Sequence, residues 1–256
     1  MNRPLLIPPC PGWIKDLPAP GESISFEAAV DNQVPNHQCA IYLELPRHTF
    51  NFRHLLMFYS LFTAMTILQI PGLISESIRY NDYETALACA LAAVAGLWMS
   101  LFMFRLSTCA PRDEPIRFNR ARGKIYAYNF KYRWWNPFEE WKVDPVSYDW
   151  SQVRAELWWR NAALPNGGFF FNNGVMLSIV TPGTNNVIDR FQLSFMGANE
   201  HVWAYVCTYM QQGPSALPPP GEPKDHNDVL WCEFALRLAP KVNWPAEMDL
   251  ESRTAP

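Results

Sequence analysis

Apolar and polar residues follow three different patterns along this chain. Residues 1–46 carry short apolar runs broken by prolines, residues 55–104 hold two long uncharged blocks, and from residue 115 aromatic and β-branched residues come in short runs between turns. The blocks are Leu55–Ile74 (LLMFYSLFTAMTILQIPGLI) and Thr85–Phe104 (TALACALAAVAGLWMSLFMF), 20 residues each without a charge. At about 1.5 Å per residue, either helix is about 30 Å long, the thickness of a bilayer's hydrocarbon core. A helix resting on a soluble core would show charges every third or fourth position, and neither block does. Gln69 and the Pro71-Gly72 pair would end the first helix early. The small residues Ala86–Gly96 allow close helix approach, and Trp98 lies deep enough to pack rather than mark an interface.

Ser75–Glu84 is a short polar connection, so the two helices should be antiparallel neighbours. It holds Arg79 alone, whereas Arg47 and Arg53 precede the hairpin and Arg105, Arg112, Arg117, Arg120, Arg122 and Lys124 follow it. Positive charge stays on the cytoplasmic side, which predicts a multi-pass protein with both termini cytoplasmic.

After the hairpin, Pro115–Asn119 and Lys124–Lys131 flank Arg120–Gly123 as two strands and a turn. The second strand has bulk on both faces and should be covered on both. Gln152–Trp159 predicts a strand with Val153, Ala155, Leu157 and Trp159 on one face. Phe169–Phe171 and Val175–Val180 about Asn172-Asn173-Gly174 predict a second hairpin, and Val187–Phe195 a further strand. Asn199–Gln212 predicts a helix with Asn199 as N-cap, Gly213 as its end, and Val202, Trp203, Val206, Tyr209 and Met210 as its buried stripe. The fold class is therefore an α+β membrane protein: a transmembrane helical hairpin plus a bent antiparallel sheet or small barrel capped by a helix.

Four regions follow: a Pro-rich arm (1–46), the hairpin (47–106), a cytoplasmic β-rich domain (113–213), and a Pro-rich linker with a short helix (214–256). Gln38–Leu45 could add a strand to the later sheet, and Asp228–Leu238 forms the C-terminal helix. Only 18% of residues are charged while 14% are aromatic, a balance that demands extensive burial. The net charge of −3 gives no reason to expect nucleic acid as a partner. The six cysteines are scattered without C-x-x-C spacing, and the first 20 residues lack a secretory signal; both fit free thiols in a reducing compartment.

No histidine or cysteine spacing suits a metal, and no nucleophile or phosphate-loop motif occurs, so neither catalytic residues nor a cofactor is expected. Glu139-Glu140 is a charge pair in a Trp-rich loop rather than an acid–base couple. Two groups remain as candidate sites. Arg117, Arg120, Arg122 and Lys124 could face lipid headgroups, or could simply set topology. Trp134, Trp135, Phe138 and Trp141, with Trp158 and Trp159, could contact a protein partner. The same rings could instead cover the sheet's open end or lie at headgroup level.

The strand–basic turn–strand of PIRFNR (115–120) and GKIYAY (123–128), followed by YDWSQV (148–153), resembles bacterial pleckstrin-homology-like domains of membrane proteins. With the tandem apolar pair and the WNPF segment (135–138), residues 45–215 resemble a proteobacterial two-helix membrane family often encoded beside type VI secretion genes. That resemblance implies a bacterial inner-membrane protein that binds a secreted effector or secretion-system protein stoichiometrically, as effector accessory or immunity factor. A lipid-sensing or membrane-organising module is the alternative, and a homo-oligomer is compatible with either.

Overall fold

Strands on both sides of the apolar hairpin share hydrogen bonds. β3 (Tyr42–Leu45) precedes the hairpin and β4 (Ile116–Asn119) follows it, and they pair antiparallel from Tyr42–Asn119 to Leu45–Ile116. The computed structural model describes residues 3–30, 34–50, 52–163, 169–194, 198–219, 225 and 227–256. One sheet runs β2 (His37–Gln38), β3, β4, β5 (Lys124–Lys131), β6 (Lys142–Asp149); the other runs β1 (Trp13–Asp16), β7 (Val153–Ala163), β8 (Phe169–Val180), β9 (Val187–Gln192).

The sheets face each other across one core. Leu43, Leu45, Ile116, Phe118, Ile125 and Ala127 meet Val153, Ala155, Val175, Leu177, Ile179 and Phe191. The chain passes between sheets at Trp150–Gln152, a single 3-10 turn closed by a capping box between Asp149 and Gln152. The expected YDWSQV strand is thus a corner, and β7 starts only at Val153. Helix α4 (Glu200–Gln212) closes the core with Val202, Trp203, Val206, Tyr209 and Met210 all buried. Asn199 accepts from the backbone N–H of His201 and Val202, as an N-cap should, and Gly213 ends the helix with φ 89°. The architecture is α+β with two antiparallel sheets and two long apolar helical segments.

The Pro-rich arm supplies β1 to one sheet and, within Gln38–Leu45 as expected, the strand β3 to the other, with β2 beside it. One expectation fails for an identifiable reason. Asn172-Asn173-Gly174 is not a turn but lies inside β8, paired with Trp158–Arg160. A Cβ on Gly174 would approach Trp158 Nε1 at 3.2 Å, so glycine marks a ring lying close over the strand. The Gly167-Gly168 step falls outside the described residues.

The hairpin comprises α1 (Arg53–Ile67), α2 (Ile70–Arg79) and α3 (Tyr83–Cys109). Pro71 does not end the first segment. It sits in the first turn of α2, where a missing N–H costs little, so the helix breaks at Leu68-Gln69 and resumes to Arg79. The connection shortens to Tyr80–Asp82, with Asn81 at φ 58° and Asp82 capping α3 through Thr85 N–H at 3.1 Å. The hydroxyls of Ser60 and Ser100 each donate to the other's carbonyl at 2.9 Å, joining α1 to α3. Opposite Gly96, the Ile67 side chain fills the space that a Cβ would need.

At its base the hairpin is locked to the sheets. Arg53, the first residue of α1, is buried and donates to the carbonyls of Ser107 (2.7 Å), Ala110 (2.9 Å) and Pro111 (2.6 Å) at the end of α3. These carbonyls have no intrahelical donors, and the positive charge faces the negative pole of α3. Asp113 Oδ1 accepts from the backbone of Arg47 (3.3 Å) and His48 (3.1 Å), while the Arg47 side chain donates to Glu114 and Tyr128 carbonyls. Phe50, Leu106 and Ala110 form a small core beneath.

Arg53→Met should therefore lower resistance to SDS unfolding of the detergent-purified protein by roughly 2–3 kcal/mol, the cost of orphaned carbonyls. Ser60→Ala should cost about 1 kcal/mol, as expected for a hydroxyl pair between apolar helices. Equal losses would show that the arginine cap does not dominate.

Candidate functional site

The basic turn and the Trp-rich loop sit at opposite ends of β5. This strand begins at Lys124, beside the basic turn, and ends at Lys131, beside the Trp-rich loop. At about 3.3 Å per residue the ends lie about 23 Å apart. Tyr132 packs against Phe102 of α3 at 6.4 Å, so the Trp-rich loop is at the hairpin end and the basic turn is at the far end.

The far end clasps the chain's own C-terminus. α6 (Ala246–Arg253) lies over the outer face of β4 and β5. Arg117 is buried, paired with Glu44 at 2.5 Å and Asp249 at 2.7 Å, with its guanidinium 4.6 Å from the Trp244 ring centre. Arg122 donates to the carbonyls of Thr254 (3.0 Å) and Ala255 (2.8 Å), and Lys124 pairs with Glu251 at 2.8 Å. Asn119, fully buried, donates to the carbonyls of Glu251, Ser252 and Thr254. Arg120 is exposed beside Gly213, at the C-terminal end of α4. None of the four faces the hairpin end, because β4 carries the chain away from α3. Of the four residues expected to meet lipid headgroups, Arg117, Arg122 and Lys124 are engaged by the chain's own acids and carbonyls, and Arg120 is left exposed. Sequence reasoning missed α6; an acidic, weakly apolar segment near a terminus gives little signal, and only its charge opposite to that of the basic turn hinted at the pairing.

Tyr126 and Tyr128, on the outer face of β5, are covered by Val242 and Trp244, so β5 is enclosed on both faces as its pattern predicts. Between this tail and the sheet runs a polar cleft of about 690 Å³ lined by His37, Tyr42, Glu44, Arg117 and Asp249. Burial holds the His37 imidazole below its ordinary value, with Glu44 opposing, so it is neutral at pH 7.

At the hairpin end the candidate aromatics divide. Trp141 packs on Phe102 (5.8 Å) and Phe130 (6.1 Å) and carries the Arg105 guanidinium over its ring at 4.9 Å. Trp134, Trp135 and Phe138 point outward, 69%, 54% and 76% exposed. Glu139 pairs with Arg133 at 3.3 Å and Glu140 with Lys142 at 3.2 Å, surface pairs rather than an acid–base couple.

Trp158 and Trp159 belong to neither end. Trp158 is only 3% exposed, on the outer face of β7, where the Arg160 guanidinium lies 5.6 Å from its ring, so it offers no partner surface. Trp159 is exposed on the opposite face. The arm covers Trp158's side of the sheet through Glu156, wholly buried, which accepts from Cys10 N–H (2.8 Å) and Ser178 Oγ (2.5 Å) and pairs with Arg190 at 3.3 Å. Gly12 at φ 81° allows this contact, since a Cβ there would strike the Trp159 carbonyl at 2.5 Å. Burial, then the Glu156 charge, push the Cys10 thiol up to about 12, so it stays protonated and unreactive at neutral pH. Among the described residues, no group of three or more His, Cys, Asp or Glu side chains could hold a metal ion.

A family model described as a family of unknown function, DUF6708, matches residues 93–256. The chain belongs to DUF6708. The DUF6708 segment begins inside α3 and takes in β4–β9, the Trp-rich loop and the clasped C-terminus, while β1–β3, α1 and α2 precede it. No curated protein and no solved structure matches the chain.

The clasp should respond to acid. The Lys124 ammonium, with smaller help from Tyr126 and Arg122, holds the Glu251 carboxyl below its ordinary value of 4.5. A depressed carboxyl stabilises the fold fully above its unfolded value and loses that contribution as pH falls through the folded one. Protection against hydrogen exchange over 246–256, relative to the intrinsic rate at each pH, should therefore fall below about pH 4.5 and do so less in Glu251→Gln, already weakened at neutral pH. Asn119→Ala should loosen the same segment at every pH, costing about 1–3 kcal/mol for the unpaired buried carbonyls. Unchanged exchange in Asn119→Ala would show that the tail is held elsewhere.

Proposed function

We propose that this DUF6708 chain is a multi-pass membrane protein whose hairpin crosses a bilayer and holds the two-sheet domain against one leaflet, where it works by binding. One observation carries the reading. The two helical stretches, Arg53–Arg79 and Tyr83–Cys109, are long and apolar enough to span, and only 6% of the apolar window of each is buried inside the protein. Core helices of a soluble domain would be mostly buried. Here Leu55, Phe58, Phe62, Leu87, Leu91, Val94 and Leu97 all face outward. Apolar surface on that scale needs a non-aqueous solvent.

The pairing of β3 with β4 supports two crossings, because strands before and after the hairpin must lie on the same side. The base carries Arg47, Arg53, Arg105 and Arg112 against Arg79 at the tip, which favours a cytoplasmic domain and cytoplasmic termini in a bacterial inner membrane. Two antiparallel sheets closed by α4 support the pleckstrin-homology-like reading of the domain. The resemblance to the family encoded beside type VI secretion genes makes stoichiometric binding of a secretion-associated effector the role we assign. The lipid-sensing alternative loses its motivation, since three of its four basic residues hold the protein's own C-terminus or its neighbouring acids.

Membranes washed with alkaline carbonate should retain the full-length chain. In inverted inner-membrane vesicles, protease should remove both termini and leave a protected fragment containing the hairpin. A monodisperse chain in the aqueous fraction without detergent would overturn the topology. Purification in mild detergent should bring down a secretion-associated protein in stoichiometric amount. Repeated recovery of the chain alone would overturn that role and leave the topology intact.

A further inference from the structure

Two segments with exposed aromatic residues are fastened to the hairpin base. The Trp-rich loop is fastened to α3. Arg105 donates to the carbonyls of Pro137 and Glu139, and Trp141 and Tyr132 pack on Phe102. The loop's level along α3 is thus Phe102–Arg105, and its outward residues are Trp134, Trp135 and Phe138. The short helix α5 (Phe234–Leu238) packs against both α1 and α3. Arg112, just past α3, donates to the Leu236 carbonyl at 3.1 Å and to the Asn227 carbonyl, holding the segment in place. Trp231, Phe234 and Leu238 face outward from it, Trp231 78% exposed.

The level of these residues matches a membrane boundary. Tyr80 and Tyr83 are exposed at the tip of the hairpin. From Tyr83 to Phe102 the rise along α3 is about 29 Å, against about 30 Å of hydrocarbon. With tyrosines at one interface, Phe102 falls at the other, where the Trp-rich loop lies, and the segment held by Arg112 follows toward the domain. Tryptophan and tyrosine collect at that depth because an apolar ring with a polar N–H or O–H suits the boundary. The charges beside the loop, Arg133 with Glu139 and Lys142 with Glu140, are paired, as a headgroup layer tolerates.

We propose that Trp134, Trp135 and Phe138 in the loop, and Trp231, Phe234 and Leu238 about α5, are in-plane anchors seated in the phospholipid interface of the leaflet beside the domain. They fix the depth and tilt of the hairpin together with the two-sheet domain locked to its base. The inference rests on the spanning reading above.

Its test uses the full chain in phosphatidylcholine vesicles carrying bromine on the acyl chains, which quenches nearby tryptophan. Trp98, one turn farther into the span than Phe102, serves as an internal reference. Quenching should fall markedly in the triple variant Trp134→Ser, Trp135→Ser, Trp231→Ser, and should largely persist in Trp98→Phe. All three substituted rings of the triple variant are exposed, so an unchanged melting profile is the expected control. Equal quenching in the triple variant and the unaltered chain would overturn the anchors and leave the hairpin in the bilayer. Absence of quenching from the unaltered chain would overturn the spanning reading, and the anchors with it.

Discussion

A single buried guanidinium determines how the hairpin meets the rest of the protein. Arg53 begins α1, yet its three hydrogen bonds go to the last carbonyls of α3 and the residue beyond them. Antiparallel neighbours place the start of one helix beside the end of the other, so one side chain can serve both. Burying a guanidinium is costly, and what offsets the cost is satisfying carbonyls that would otherwise have no donor in a water-poor place. The contact also fixes the separation of the two chain segments that leave the hairpin. Those segments become β3 and β4 within a few residues, and their register depends on that separation.

The two sheets are covered on their outer faces by the two ends of the chain. The arm reaches across β7 and β8 through Glu156, Ser178 and Cys10, and the tail lies on β4 and β5 through Arg117 and Asn119. Each contact centres on a buried polar group with several partners rather than on apolar area. Buried networks of this kind specify one arrangement closely, since a shifted tail would leave charges unpaired. The covering takes Tyr126 and Tyr128 on one sheet and Trp158 on the other out of solvent.

What was legible in the sequence depended on how local its physical cause was. The apolar helices announced themselves by twenty uncharged positions, and α4 by its cap and its stripe, because both are properties of one segment. The β4–β5 hairpin was readable for the same reason. Pro71 misled, since a proline in a helix's first turn differs from one in its interior only by where the helix restarts. Asn172-Asn173-Gly174 misled because a glycine under a tryptophan ring spells the same letters as a turn. The basic turn was the largest misreading of the site. Its charges were visible, but apart from Glu44 the acids and carbonyls that they hold lie more than a hundred residues later. The outward aromatic loop was visible as a composition; its level beside α3 was not, since that depends on Arg105 reaching two carbonyls across the fold.

The pairing of β3 with β4 has a consequence for biosynthesis. During translation, β3 emerges before either apolar segment with β2 on one edge, and its other edge finds no partner until the whole hairpin has been made. In the spanning topology we propose, that edge waits while both helices are inserted, and the sheet zips only once the chain has returned to its original compartment. A chain that threaded one segment but not the other would then leave a half-built sheet for quality control to find.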